Sequence, residues 1–191
     1  MKIFSGTARG RFVNVPKGAD LRPTTDKTRL ALFNAIGQLV PDSRFLDLCC
    51  GSGSVGLEAL SRGAAKVVFV DSQRLCVESV KASAAAFGFE SARVEAWCAD
   101  LQRGMIQLAG RRQRFDLVYV DPPYDAALGK PALQGLVKHE LLERNPATRV
   151  MLEHAGDGES PEVEGLQLYR RYDHGAASVS IYGLEGMADA L

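Results

Sequence analysis

The sequence predicts an α/β fold, an open and mostly parallel sheet of Rossmann type with helices on both faces. Three observations lead there. From Arg44 onward, short apolar runs alternate with longer amphipathic stretches, the pattern of strands joined by crossover helices. Gly51-Ser52-Gly53-Ser54-Val55-Gly56 follows the first run and opens a helix, and Asp71 lies twenty residues after Gly51 at the end of the next run. Two final runs, 166–171 and 177–182, have no helical stretch between them and read as an antiparallel hairpin.

Taken in order, residues 1–20 read as a short hairpin extension ahead of a domain spanning 21–191. Lys2-Ile3-Phe4 and Arg11-Phe12-Val13-Asn14-Val15 are its arms, 5–10 its turn, and Pro16-Lys17-Gly18 its end. Thr24, Thr25 and Asp26 offer N-caps for a helix carrying Leu30, Leu32, Phe33 and Ile36, with Gly37 and Pro41 at or beyond its end. Strands are expected at 45–48, 66–71, 92–98, 115–120 and 149–153, with helices at 55–61, 72–87, 101–109 and 128–142 between them. The Gly- and Pro-containing stretch 155–161 reads as an exposed, mobile loop.

Composition bounds the class. A chain of 191 residues, 46% hydrophobic and 24% charged, suits a single soluble domain with a substantial core. It contains no apolar run near the roughly 20 residues that span a bilayer, and Met1 to Gly6 lacks the apolar stretch of a signal peptide. A cytoplasmic protein without membrane contact is expected. Cys49, Cys50, Cys76 and Cys98 contain no C-x-x-C pair and read as buried reduced thiols. His139, His154 and His174 have no metal-ligand spacing. The formal charge is zero, which argues against a uniformly basic nucleic-acid binder. The distribution is uneven: Lys2, Arg9, Arg11, Lys17, Arg22, Lys27 and Arg29 face only Asp20 and Asp26 in the first 29 residues. That is either a local footprint for phosphate or a solvated surface.

The chemistry is carried by strand ends. Gly51, Gly53 and Gly56 permit a tight turn and close backbone approach to a ligand, and Asp71 can accept bonds from two ribose hydroxyls. Nicotinamide, flavin and S-adenosylmethionine domains share that layout. Asp47, four residues before Gly51, favours S-adenosylmethionine, whose ammonium and sulfonium suit a nearby carboxylate better than a pyrophosphate does; otherwise it caps loop amides. Asp100 ends the third strand, where it can bond an adenine amine, N-cap the next helix, or do both. Asp121-Pro122-Pro123-Tyr124 then decides the class. The prolines fix φ and remove two donors, so local carbonyls stay available as acceptors. Asp121 adds a carboxylate and Tyr124 a stacking face. Such a loop can hold the exocyclic amine of a nucleobase and stabilise the positive charge that develops on its nitrogen during methyl transfer. A tight post-strand turn is the plainer reading of that loop.

The chain resembles the RsmD family. The resemblance rests on Met1-Lys2-Ile3, Ser5-Gly6, Arg9-Gly10-Arg11, the run Arg22-Pro23-Thr24-Thr25-Asp26-Lys27-Thr28-Arg29, Ala31-Leu32-Phe33-Asn34, the stretch from Gly51 to Ala64, and Asp121 to Tyr124. It covers residues 1 to about 153. It implies a class I S-adenosylmethionine-dependent methyltransferase with a seven-stranded, mostly parallel sheet, its last strand antiparallel, and a small N-terminal hairpin that helps grip RNA. The implied reaction is methylation of the N2 amine of one guanine in 16S ribosomal RNA, within the 30S subunit or an assembly intermediate, by a monomer. Carried over, Asp47, Gly51, Gly53, Gly56, Asp71 and Asp100 serve the cofactor. Asp121, Pro122, Pro123 and Tyr124 serve the target guanine, and Arg9, Arg11, Arg22 and Arg29 serve the RNA. Two departures stand out: Cys49-Cys50 where the family commonly has Phe or Tyr then Ala, and Arg171-Tyr172-Asp173-His174-Gly175 in place of a Lys-x-Tyr-Gly pattern. The competing functions are a DNA adenine-N6 or cytosine-N4 methyltransferase, which shares Asp-Pro-Pro-Tyr, and a non-catalytic RNA-binding or ribosome-assembly protein.

Overall fold

The computed structural model of the protein describes residues 1–16, 25–123 and 128–187. Its strands are β1 (Arg44–Leu48), β2 (Lys66–Asp71), β3 (Val94–Cys98), β4 (Leu117–Val120), β5 (Arg149–Ala155), β6 (Leu166–His174) and β7 (Ala177–Leu184). They form one sheet in the order β3-β2-β1-β4-β5-β7-β6. The pairs among β1 to β5 are parallel, and β7 runs antiparallel to both β5 and β6, as the sequence predicts. The strand order reverses between β1 and β4, which opens a crevice at their carboxyl ends.

Helices α1 (Asp26–Ile36), α2 (Ser54–Ser61) and α3 (Arg74–Phe87) cover one face, and α4 (Leu101–Gly110) and α5 (Gly129–Lys138) cover the other. The period-two pleat sorts the strand residues between two cores. Phe45, Val67, Phe69, Leu117 and Tyr119 pack with Phe33, Leu57 and Val80. Leu46, Val68, Val70, Val118 and Val120 pack with Met105, Leu108, Leu133 and Leu136. The caps follow local chemistry: Thr25 accepts from the Thr28 amide at 3.1 Å, and Asp100 from the Arg103 amide at 2.8 Å. No helix among the described residues is long and apolar enough to cross a membrane.

The structure corrects several expectations. Helix α5 stops at Lys138 rather than 142. Glu140 adopts a left-handed φ of 51°, and this turns Leu141 and Leu142 into the core, where Leu142 bridges to Phe115. Burial of two leucines overrides their helical propensity. Loop 155–161 is tied down instead of loose: Arg171 donates to the carbonyls of Gly156 and Gly158, each at 2.7 Å, and Ser160 Oγ pairs with Ser180 Oγ at 2.7 Å. Cys98 is exposed at the end of β3.

The N-terminal hairpin is a strap rather than a two-stranded ribbon. Among the described residues its regular pairing reduces to one antiparallel bridge, Lys2 to Phe12, held by Ile3 N–Arg11 O at 2.9 Å and Val13 N–Met1 O at 2.8 Å. Such a short ribbon is marginal alone, and here the helices supply its partners. Glu58 on α2, fully buried, accepts from the amides of Phe4 (2.8 Å) and Ser5 (3.0 Å) and from Arg62 Nε (2.8 Å). Ser61 accepts from the Ala8 amide, and on α3 Ser83 accepts from the Asn14 amide while Ser79 donates to the Asn14 carbonyl. Ile3, Ala8 and Val13 complete the dock by entering the α1–α3 core.

Candidate active site

The glycine loop turns sharply because its residues can. Gly51 and Gly53 have φ of 53° and 72°, and Cys49 takes the same left-handed region at 58°, which is uncommon for a side-chain-bearing residue. A Cβ on Gly53 would sit 2.5 Å from Val80 Cγ2, and one on Gly56 2.3 Å from Phe69 Cε1. Two of the three predicted glycines are therefore required by packing of the loop and α2 against β2 and α3, apart from any ligand.

Two carboxylates hold the loop from below. Asp47 Oδ2 accepts from the Gly56 amide at 2.9 Å, and Asp71 Oδ2 from the Gly51 amide at 2.8 Å. Asp71 Oδ1 also takes the Gln73 amide at 2.8 Å, which steers the chain from β2 toward α3. Asp47 is 1% exposed, so in this conformation its direct partner is the loop. Burial raises its pKa to about 8, the Gly56 bond opposes that rise, and Asp71 adds to it. Asp100 is exposed at the start of α4, where its side chain caps the helix.

Asp121 follows β4 directly, and its amide donates to the Leu48 carbonyl at 3.2 Å. Leu48 pairs in register with Val70 on one side and Val120 on the other, so Asp71, Cys49 and Asp121 close three adjacent strands. With neighbouring strands about 4.8 Å apart, the ends of β2 and β4 lie about 10 Å from each other. Pro122 is buried and Pro123 exposed, while Tyr124 lies outside the described residues. The Cys49 thiol is pushed up to about 12, first by burial and then by Asp71, Asp121 and Asp47. That thiol stays neutral, and the Asp71 and Asp121 carboxylates beside it make the field of the site negative. An anionic pyrophosphate is disfavoured in such a field and a cation is favoured.

The predicted RNA-binding arginines divide. Arg9 is exposed. Arg11 is exposed too, but it donates to the Ala86 carbonyl and lies 5.8 Å from the Phe87 ring centroid. Arg22 lies outside the described residues. Arg29 is corrected: it is 0% exposed and faces inward. Its Nη2 donates to the Lys2 carbonyl and to Asp26 at 3.0 Å, and its guanidinium lies 4.9 Å from the Phe4 ring. Burial lowers its pKa, against the pull of Asp26 and Glu58. It fastens the strap to α1 rather than presenting charge to a polyanion.

Sequence reasoning missed Cys49 and Glu58. Nothing in the sequence marks a left-handed cysteine. Glu58 did leave a signal, a lone acid in the apolar run Val55-Gly56-Leu57-Glu58-Ala59-Leu60, where a charge survives only with buried partners.

Residues 1–183 match the protein family described as Conserved hypothetical protein 95. YlbH of Bacillus subtilis is 33% identical over 97% of this chain and 100% of its own length. Ribosomal RNA small subunit methyltransferase D of Escherichia coli is 36% identical over 67% of this chain and 62% of its own. The solved structure of yhhF from Escherichia coli superposes with a TM-score of 0.85 at 28% identity, covering 98% of this chain and 99% of that one. With the reversed strand order, the glycine loop and the Asp-Pro-Pro strand end in place, the fold is that of class I methyltransferases, and the chain belongs to the Conserved hypothetical protein 95 family, the RsmD family.

Proposed function

We propose that this protein methylates the exocyclic N2 amine of a guanine in 16S ribosomal RNA, on the 30S subunit or an assembly intermediate, as a cytoplasmic monomer. The observation that carries the reading is the adjacency of the glycine loop on β1 and Asp121-Pro122-Pro123 on β4, joined by the bond from Asp121 N to Leu48 O. Donor and acceptor sites then share one crevice. The carboxylates gathered at these strand ends suit S-adenosylmethionine, which would supply an electrophilic methyl on a cationic sulfur.

This chain's own residues do the rest. The Gly51–Gly56 backbone and Asp71 hold the nucleoside part of the donor, with Asp71 facing ribose and Asp100 nearer the adenine. Asp121 and the Pro122 carbonyl accept hydrogen bonds from the guanine amine, whose lone pair otherwise delocalises into the ring. They favour a pyramidal nitrogen and stabilise its developing positive charge. The family resemblance gives Tyr124, outside the described residues, the part of stacking on the base. With the donor bound, the nitrogen lone pair would take the methyl as its bond to sulfur breaks, and the extra proton would leave the nitrogen afterward. Alignment at close range supplies much of the remaining rate. The name of the Escherichia coli relative supports ribosomal RNA as substrate.

The test is tritium transfer from labelled S-adenosylmethionine to three substrates side by side: 30S subunits lacking native methylation, naked 16S RNA and duplex DNA. Label on the ribosomal substrate, recovered as N2-methylguanosine, is expected. Label on DNA alone reverses the choice of nucleic acid, and label on another base of the RNA removes the guanine assignment.

A further inference from the structure

We infer that Phe12 is a stacking platform for an unpaired base of the RNA substrate, with Lys2 opposite it and Arg9 in the same strap holding adjoining phosphates. The inference rests on the ribosomal RNA reading above and adds a contact remote from the methyl-transfer residues. Among the described residues Phe12 is the most exposed large apolar side chain, at 72%, and the one aromatic ring in that group. A single exposed apolar residue is ordinary; the setting of this one is not.

The backbone beneath the ring is pinned. Phe12 lies opposite Lys2 in the strap's bridge, between the Ile3–Arg11 and Val13–Met1 hydrogen bonds. The buried neighbours Ile3 and Val13 set the pleat, so Phe12 and Lys2 point outward together. With the backbone pinned, only the two side-chain torsions of Phe12 remain to be ordered when a base stacks on it. The electrostatics select the occupant. Residues 1–16 carry Lys2, Arg9 and Arg11 and no acidic side chain. The acid that reaches the strap, Glu58, is buried and engaged by the Phe4 and Ser5 amides and Arg62. Among the described residues the Arg9 side chain has no hydrogen bond or ion pair, while Arg11 is braced by Ala86 and Phe87. A flat apolar face on a strap that carries three cations and no acid fits a single-stranded polyanion with exposed bases. Duplex nucleic acid hides its base faces.

The experiment measures methyl transfer to unmethylated 30S subunits by wild type, Phe12→Ala, Phe12→Leu and Phe12→Trp. Anisotropy of a labelled single-stranded ribo-oligonucleotide is followed in parallel. Phe12→Ala is expected to raise KM for the subunit, and Kd for the oligonucleotide, roughly five- to 100-fold, with kcat and S-adenosylmethionine affinity retained. Phe12→Trp should restore both constants and Phe12→Leu should not. The salt dependence of binding should keep its slope in Phe12→Ala, because no phosphate contact is lost. Unchanged KM and Kd in Phe12→Ala overturn the inference, and full rescue by leucine replaces base stacking with a plain apolar contact. If wild type transfers no methyl to RNA, the functional reading fails, and the oligonucleotide arm still decides the platform.

Discussion

The glycine loop and the N-terminal strap flank the same helix, and both are held by buried carboxylates that accept backbone amides. They differ in where the carboxylate comes from. Asp47 reaches Gly56 across nine residues and Asp71 reaches Gly51 across 20, within a single strand–helix–strand unit. Glu58 reaches Phe4 across 54 residues, and Ser79 reaches Asn14 across 65. The same chemistry is therefore local in one region and long-range in the other. A loop whose partners lie in its own unit can be read from spacing, whereas a strap whose partners lie on later helices cannot.

That difference explains what the sequence revealed. Period, glycine spacing and strand-end acids placed the mostly parallel sheet, the Asp100 cap and the Asp121 strand end, while the strand order came from the structure. The basic N-terminal region is harder to read, because burial does not show in a charge count. Arg29 counted as available to RNA although Asp26, three residues earlier on the same helix, already offered it a partner. Helix α5 was overextended for a related reason: Leu141 and Leu142 fit a helical period, yet the core needed them past a left-handed turn at Glu140.

The sharpest way to separate the two regions is Asp121→Ala. Loss of a charged acceptor aimed at a developing charge is expected to lower transfer by about 10²- to 10³-fold. Donor binding by calorimetry should weaken far less than transfer does, and the melting temperature should stay near wild type, because the loop and strap acids are untouched. Wild-type turnover would remove Asp121 from the amine-positioning role.

Glu58→Ala should do the opposite. It leaves the Phe4 and Ser5 amides without their buried acceptor and Arg62 without its carboxylate. A cost of about 3 kcal/mol is expected, roughly 6–12 °C in melting temperature for a chain of this size. Hydrogen exchange should rise at the amides of residues 3–8, and donor affinity should fall only slightly. Unchanged exchange there would mean that apolar docking of Ile3 and Ala8 suffices to hold the strap.

A smaller contrast lies within the basic N-terminal region. Arg9→Ala should reduce the salt slope of RNA binding by about one unit and leave thermal stability alone. Arg29→Ala should lower stability, because it empties a buried site against Phe4, and should not flatten the salt slope. Equal salt slopes for Arg9→Ala and wild type would take Arg9 out of the interface.

The smallest effect asks whether the loop acids are purely structural, as Glu58 is, or also answer the ligand's charge. Asp47 has a folded pKa near 8 against an ordinary 3.8, because burial disfavours its anion. A raised carboxyl pKa stabilises the fold fully below about pH 3.8, and that contribution is lost as pH rises through 8. Asp47→Asn should therefore narrow its stability gap to wild type, or overtake it, as pH climbs from 4 to 8. Without ligand, Asp47 is mostly protonated at pH 7. A bound cation favours the anion, so donor binding at pH 7 should release close to one proton, and affinity should rise with pH by up to about tenfold per unit before levelling above pH 8. Calorimetry in two buffers of different ionisation heat reads that proton directly. Buffer-dependent heat in wild type that vanishes in Asp47→Asn makes the carboxylate both a loop cap and a counter-charge. Buffer-independent heat in wild type leaves Asp47 with the Gly56 amide as its sole task, and the preference for a cationic donor then rests on Asp71 and Asp121.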